Sequence, residues 1–203
     1  MGPFEILLDE HRVIERVLAS LEKMADRFQE EKRIDPEPAE EALDFIRNFA
    51  DRCHHGKEEA RLFRILETKD RFPKGCGPSY VLRAEHAHGR TLVGCMAEAI
   101  ADAREGRATA LDRFLRSART YIALLRQHIG KEDNCFFPNA NMSLTAEEDR
   151  RLSVEFEEFE REEMGAGTHE KYRAMADSLY KRFGTSETWW SSRVKECHHG
   201  EGS

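Results

Sequence analysis

No apolar run in the 203 residues is long enough to span a bilayer. The opening stretch MGPFEILLDEHRVIERVL carries Glu5, Asp9 and Glu10 where a secretory signal needs an uncharged core. A cytoplasmic protein is expected. CxxC pairs are missing too: Cys53, Cys76, Cys95, Cys135 and Cys197 are odd in number and widely spaced, which argues against a disulfide framework or a zinc knuckle and for reduced thiols. Positive charge is not in excess. The formal net charge is -7, and Lys and Arg are scattered among acids rather than gathered in a stripe. That argues against nucleic acid or an anionic membrane as partner and leaves small molecules or ions.

What is present is charge laid over a helical period. Charged residues make up 35% and hydrophobic ones 39%, the balance of soluble helical proteins in which each helix keeps a wide solvated face. Gly and Pro cut the chain into long segments within which apolar residues recur at intervals of three and four. The pattern predicts helices over about Phe4 to Phe28, from the Asp35-Pro36-Glu37-Pro38 signal to just before Phe72-Pro73, over Ser79 to Glu105, and from Thr109 to Phe136, ending before Pro138. Ser143 or Thr145 with Glu147 or Glu148 starts a fifth helix reaching about Met164, and Gly165-Ala166-Gly167-Thr168 turns into a sixth ending near Phe183. The expected fold is all-α: an up-and-down four-helix bundle over residues 1–140, a C-terminal helical hairpin extension packed on it over 141–183, and a polar tail over 184–203. In that tail Trp189 and Trp190 are expected to dock on the bundle or a neighbouring subunit, while His198 and His199 carry no assigned chemistry.

The chemistry is concentrated in CHHGKEEARLF, Cys53 to Phe63. Residues four apart share a helix face, so this segment offers His54 with Glu58 or His55 with Glu59. From His54 the helical walk meets Ala50, Ile46 and Leu43 on one side and Glu58, Leu62 and Ile65 on the other, an apolar stripe. From His55 it meets Asp51, Arg52 and Asn48, then Glu59. The expectation is that His54 and Glu58 face inward, with His55 and Glu59 on the flank in a supporting role. The segment HIGKEDNCFF, His128 to Phe137, aligns without gaps to His54–Phe63 and repeats the spacing as His128 and Glu132. His11 lies on a stripe with Leu7, Ile14, Leu18, Leu21 and Phe28, and His86 on one with Leu82, Val93, Ala97 and Ile100. One such histidine is ordinarily a hydrogen-bonded core residue. Four of them with two glutamates ask for a cation, because a carboxylate buried without a positive partner is costly and no Lys or Arg shares these stripes, Arg61 being the nearest. Six nitrogen and oxygen donors suit Fe, Mn, Co or Zn and exceed one tetrahedral site, so two ions bridged by Glu58 and Glu132 are expected, completed by a bridging hydroxide or oxide.

With CHHGKEEARLF, HIGKEDNCFFP, LLDEH around His11 and AEHAHGR around His86 in place, the chain resembles the hemerythrin-like family of HHE cation-binding domains over about Phe4 to Ala140. The resemblance implies a four-helix bundle holding a non-heme diiron centre with ligands at His11, His54, Glu58, His86, His128 and Glu132. Oxygen carriers of that family have a further histidine where this chain has Arg90, and their last carboxylate falls at Asp133 rather than Glu132. The resemblance therefore points to binding, sensing or reaction with O2, NO or peroxide, or to iron handling under stress, more than to reversible oxygen transport. A metal-dependent regulatory module without catalysis is the alternative, and a bundle whose histidines and glutamates merely satisfy one another is a third reading.

His169, on a stripe with Tyr172, Ala176, Leu179 and Phe183, either supplies the missing nitrogen or packs to dock the hairpin. Glu160 and Glu163 are expected at the solvated surface. Glu85 is expected to orient an imidazole or pass protons, Tyr121 to be a core residue or else a redox or hydrogen-bonding neighbour of the centre, and His88 to pack against the hairpin.

Overall fold

The computed structural model describes residues 1–184, and every regular element among them is helical. Trp189, Trp190, His198 and His199 lie outside the described residues. Helix α1, Pro3–Glu31, begins with Pro3 in the first turn, where backbone N–H groups have no intrahelical partner to lose. The Gly2 N–H donates to the Glu5 carboxylate at 2.9 Å. The helix outlasts its apolar stripe by a turn, since nothing in Gln29-Glu30-Glu31 breaks it, and stops at Lys32 in the left-handed region at φ 54.

The second rod departs from a plain α-helix. Helix α2, Pro36–Phe45, runs into a π-helical stretch, Ile46–His55, then another, Glu58–Leu62, before α3, Phe63–Leu66, closes it. Helix α4, Pro78–Arg104, again starts on a proline, and α5, Ala110–Lys131, follows. Pro138 does not end this last rod. The π-helical turn Glu132–Phe136 opens the hydrogen-bond register, and α6, Phe137–Asn141, restarts with Pro138 in its first turn, where a missing N–H costs nothing.

The two C-terminal helices come where expected. Helix α7, Ala146–Phe159, is capped by Thr145, whose Oγ1 accepts from the Glu148 N–H at 3.2 Å while the Glu148 carboxylate accepts from the Thr145 N–H at 2.9 Å. A π-helical turn, Glu160–Met164, then leads through Gly165 and Gly167, both at positive φ, into α8, Thr168–Phe183.

Helix α1 packs against α2, α5 and α8, while α4 packs against α5, α2 and the Ile46–His55 stretch. Helix α7 lies on α1 and on Glu58–Leu62. Apolar side chains gather in two bodies. One contains Ile14, Leu18, Leu21, Phe28, Phe45, Phe49, Ile100, Phe114 and Leu125. The other contains Phe4, Leu7, Leu62, Phe63, Leu82, Phe136, Phe137, Leu152 and Phe156. In every rod the change from one body to the other falls at the polar positions found above: His11 between Leu7 and Ile14, Glu58 before Leu62, His86 between Leu82 and Val93, Glu132 between Ile129 and Phe136. A buried polar layer therefore lies between two apolar ones, each fully buried Leu or Phe contributing about 1.5–3 kcal/mol.

Two glycines report on the packing around this layer. A Cβ on Gly56 would stand 2.7 Å from Phe159 Cζ, so the hairpin ring presses directly on the backbone of the second rod. A Cβ on Gly94 in α4 would meet nothing within 4 Å. Gly94→Ala should raise stability by about 0.5–1 kcal/mol through lost backbone freedom in the unfolded chain. Gly56→Ala should instead lower it by about 1–3 kcal/mol because Phe159 must move. Thermal melts of the two variants should shift in opposite directions, and parallel shifts would contradict this packing.

Candidate metal centre

The polar layer brings together His11, His54, His55, Glu58, His86, His128 and Glu132, none more than 5% exposed. They form two overlapping groups whose donor atoms lie within 4.8 Å of one another: His11, His54, Glu58 and Glu132, and His55, Glu58, His86 and His128. Glu58 belongs to both. Glu132 also faces both, its Oε2 lying 3.2 Å from His11 Nε2 and 3.2 Å from His128 Nε2.

His55 corrects the sequence expectation. It is buried, its ring stacked on His86 with centroids 3.9 Å apart and planes 12° apart. Successive residues of an α-helix point about 100° apart, so only one of two adjacent histidines should face the axis. The π-helical register of Ile46–His55 widens the turn and closes that angle, and His54 and His55 both reach the layer. Period counting at 3.6 residues per turn could not show this; the adjacency of the two histidines was the available signal.

Each imidazole is held from behind by a carboxylate. Nδ1 of His11 meets Asp133 Oδ1 at 2.6 Å, Nδ1 of His54 meets Glu10 Oε2 at 2.9 Å, and Nδ1 of His55 meets Asp51 Oδ1 at 3.3 Å. Nδ1 of His86 meets Glu59 Oε1 at 2.7 Å, and Nδ1 of His128 meets Glu85 Oε2 at 2.9 Å. A carboxylate accepts, so each Nδ1 carries the proton and each Nε2 is left as a lone pair turned into the layer. Glu59 and Glu85 thus take the supporting positions foreseen for them. Asp133, Glu10 and Asp51 were missed in that role, although two of them sit next to, and four residues before, the histidines at 11 and 55.

The inner atoms lack partners. His11 Nε2, His54 Nε2 and all four carboxylate oxygens of Glu58 and Glu132 are buried without a hydrogen bond, and His86 Nε2 stands 3.1 Å from His128 Nε2 with lone pairs facing. Acceptors converging on acceptors are costly unless a cation lies among them. The donor set of nitrogen and carboxylate oxygen fits iron or a similar divalent metal. Without such a cation, burial pushes Glu58 up to about 8 and raises Glu132 well above the ordinary carboxyl range, the Glu58 charge adding to the effect. Burial likewise lowers His54 to about 3 and His128 to about 4, and depresses His11 and His86.

A buried cation does exist nearby, contrary to the sequence reading, but it is turned away. Lys57, fully buried, bonds Glu10 and lies 2.5 Å from Glu160 Oε1. Burial alone would raise Glu10; Lys57 and the neighbouring histidines hold it well below its ordinary value. His169 lies outside the inner group, with Nε2 3.3 Å from Glu10 Oε1 and 3.5 Å from Glu160 Oε1. Glu160 is thus a docking residue rather than plain solvated surface, whereas Glu163 is exposed beside Arg52. His88 is exposed rather than buried against the hairpin. Tyr121 is buried and lines a cavity of about 220 Å³ that also reaches His55, His86 and Arg90.

The family model described as Hemerythrin HHE cation binding domain matches residues 2–140, and the chain belongs to this hemerythrin family. Similar proteins include the uncharacterized proteins Mb2018 of Mycobacterium bovis and MT2051 and Rv1995 of Mycobacterium tuberculosis, each 29% identical over 162 residues. The match covers 79% of this chain and 62% of each relative, so the chain spans under two thirds of their length. No solved structure matches.

The protonation states set a pH signature for chelator-treated protein. Glu58, raised to about 8, holds a proton in the fold that the unfolded chain releases above 4.5, so its contribution is full below 4.5 and lost as pH rises through about 8. The depressed histidines act oppositely, but only below their ordinary value of 6.5. Between pH 6.5 and 8 the melting temperature of the metal-free protein should therefore fall. A metal ion makes the ionised carboxylates the favoured state, so the gain on metal addition should widen across the same window, as paired melts will show.

Proposed function

We propose that this protein holds two iron ions in the polar layer, hydroxo- or oxo-bridged, and binds, senses or reacts with a small ligand such as O2, NO or peroxide. The supporting observation is the convergence of five buried imidazoles on two glutamates whose carboxylate oxygens have no hydrogen-bond partner. His11 and His54 would serve one position, His55, His86 and His128 the other, with Glu58 and Glu132 between them. Zn, Mn or Co suit the same donors. Once bound, such a metal pair supplies redox equivalents and an open coordination position. The first position would have two imidazoles against three, leaving it the room to take an outside ligand. The chain's own part is to fix the imidazole tautomers through Asp133, Glu10, Asp51, Glu59 and Glu85 and to keep water out with the flanking apolar layers.

The packing supports an up-and-down four-helix bundle over residues 1–140 with a helical hairpin over 141–183, and the matched span 2–140 agrees with that division. The chain's thiols at Cys53, Cys76, Cys95 and Cys135 are free, which supports a reducing compartment such as the cytoplasm. Among the described residues no helix is long and apolar enough to cross a membrane.

A second reading, a metal-dependent regulatory module, is favoured by one contact set. Glu10 bonds His54 on one side and Lys57 and His169 on the other, and Glu160 and His169 belong to the hairpin. Metal occupancy and hairpin docking share that carboxylate and are therefore coupled.

Anaerobic Fe(II) titration should give two equivalents, and O2, NO or peroxide should then give a charge-transfer spectrum. A rise in melting temperature with no spectral response would favour the regulatory reading. Glu58→Ala should abolish binding of both ions, His55→Ala should weaken one by at least about 10-fold, and His88→Ala should leave both untouched. A full complement of metal in Glu58→Ala would sink the proposal.

A further inference from the structure

Behind every supporting carboxylate stands a cation. Arg12 bonds Asp133 behind His11, Lys57 bonds Glu10 behind His54, and Lys131 bonds Glu85 behind His128. The remaining two carboxylates share one residue. Arg90 Nε donates to Asp51 Oδ1 and Oδ2 at 2.8 and 3.0 Å, and its Nη2 donates to Glu59 Oε1 at 2.8 Å. The accepting atoms are the same Asp51 Oδ1 that holds His55 and the same Glu59 Oε1 that holds His86. Arg83, 3.8 Å from Glu59 Oε2, is the only other cation paired with either among the described residues.

We propose that Arg90 is the positioning residue of the three-histidine metal position, clamping the supports of His55 and His86 together, so that its loss weakens that position and spares the other. A planar guanidinium can meet two carboxylates in fixed geometry at once, and here it sets the two stacked rings in register. The opposite position, built on His11 and His54, depends on Arg12 and Lys57 and has no contact with Arg90. Removing Arg90 would take the cation from Asp51 and leave Glu59 only the more distant Arg83, disturbing two supports of one metal position; removing Arg12 or Lys131 disturbs one support each. The Arg90 side chain is 43% exposed, at the rim of the cavity that His55 and His86 line, so its replacement leaves no hole in either apolar layer.

This inference rests on the dinuclear reading, and the experiment separates the two. Metal-free wild type, Arg90→Gln, Arg90→Lys and Lys131→Gln are titrated anaerobically with Co(II), following heat and the visible ligand-field bands. Wild type should take two equivalents. Arg90→Gln should keep one at wild-type affinity and bind the second at least about 10-fold more weakly, the low end expected for outer-shell partners. The bands of that second ion should change with it. Lys131→Gln should produce a smaller loss, and Arg90→Lys an intermediate one, because a lysine keeps the charge but reaches one carboxylate at a time. Wild type taking fewer than two equivalents overturns the dinuclear reading and the proposal together. Two wild-type affinities in Arg90→Gln, or equal weakening of both, overturns the role of Arg90 alone. Should Arg90→Gln fold poorly, the second-ion affinity and spectrum of Arg90→Lys decide, and full wild-type values there refute the clamp.

Discussion

Everything in this molecule turns on the direction in which five imidazoles hold their protons. Because Asp133, Glu10, Asp51, Glu59 and Glu85 each hold a proton on Nδ1, the Nε2 atoms are left as lone pairs turned toward one another and the two glutamates in a buried layer. A protein that only needed to fill its interior would place leucine there, since burying acceptors without donors loses free energy that apolar packing would gain. The fold tolerates the arrangement because apolar bodies on either side supply the stability and because each supporting carboxylate is paired with an outer cation. Charge thus alternates outward from the centre: inner acceptors, anionic supports, cationic clamps.

Much of this was legible in the amino-acid order. The His54–Glu58 spacing, its repeat at His128–Glu132 and the apolar neighbours of His11 and His86 located the layer before any coordinates. The caps at Pro3, Pro36, Pro78 and Thr145 set the rod boundaries within a turn at their N-terminal ends. The gaps have one physical source. Periodicity assumes 3.6 residues per turn, and the rods that carry the paired motifs abandon that value at the motifs themselves, over Ile46–His55, Glu58–Leu62 and Glu132–Phe136. An extra residue in a turn moved His55 from flank to centre and carried the last rod past Pro138. Glu10 and Asp133 were illegible as supports for another reason: their partners lie across the bundle, as with Glu10 and His54, forty-four positions apart.

The C-terminal hairpin changes meaning once its contacts are seen. The imidazole of His169 meets Glu10 and Glu160 rather than the inner group. His55, from within the second rod, is the residue that joins Glu58, His86 and His128 in one inner group. The hairpin contributes to the centre indirectly, through the charge environment of one support and through the ring of Phe159 set against Gly56.

The two apolar bodies that sandwich the polar layer also bear on how a metal ion arrives. Phe137 stacks over His11 and Phe63 over His86, with Leu7, Leu62 and Leu82 behind them on one side and Ile14, Phe49 and Leu125 on the other. A hydrated cation has no dry passage through such walls. The cavity that reaches His55 and His86 past Arg90 is the side approach, so filling of that group would follow access at Arg90, whereas His11 and His54 would wait for transient parting of the helices. Two groups so differently walled would fill and empty at unequal rates, the one built on His11 and His54 the slower.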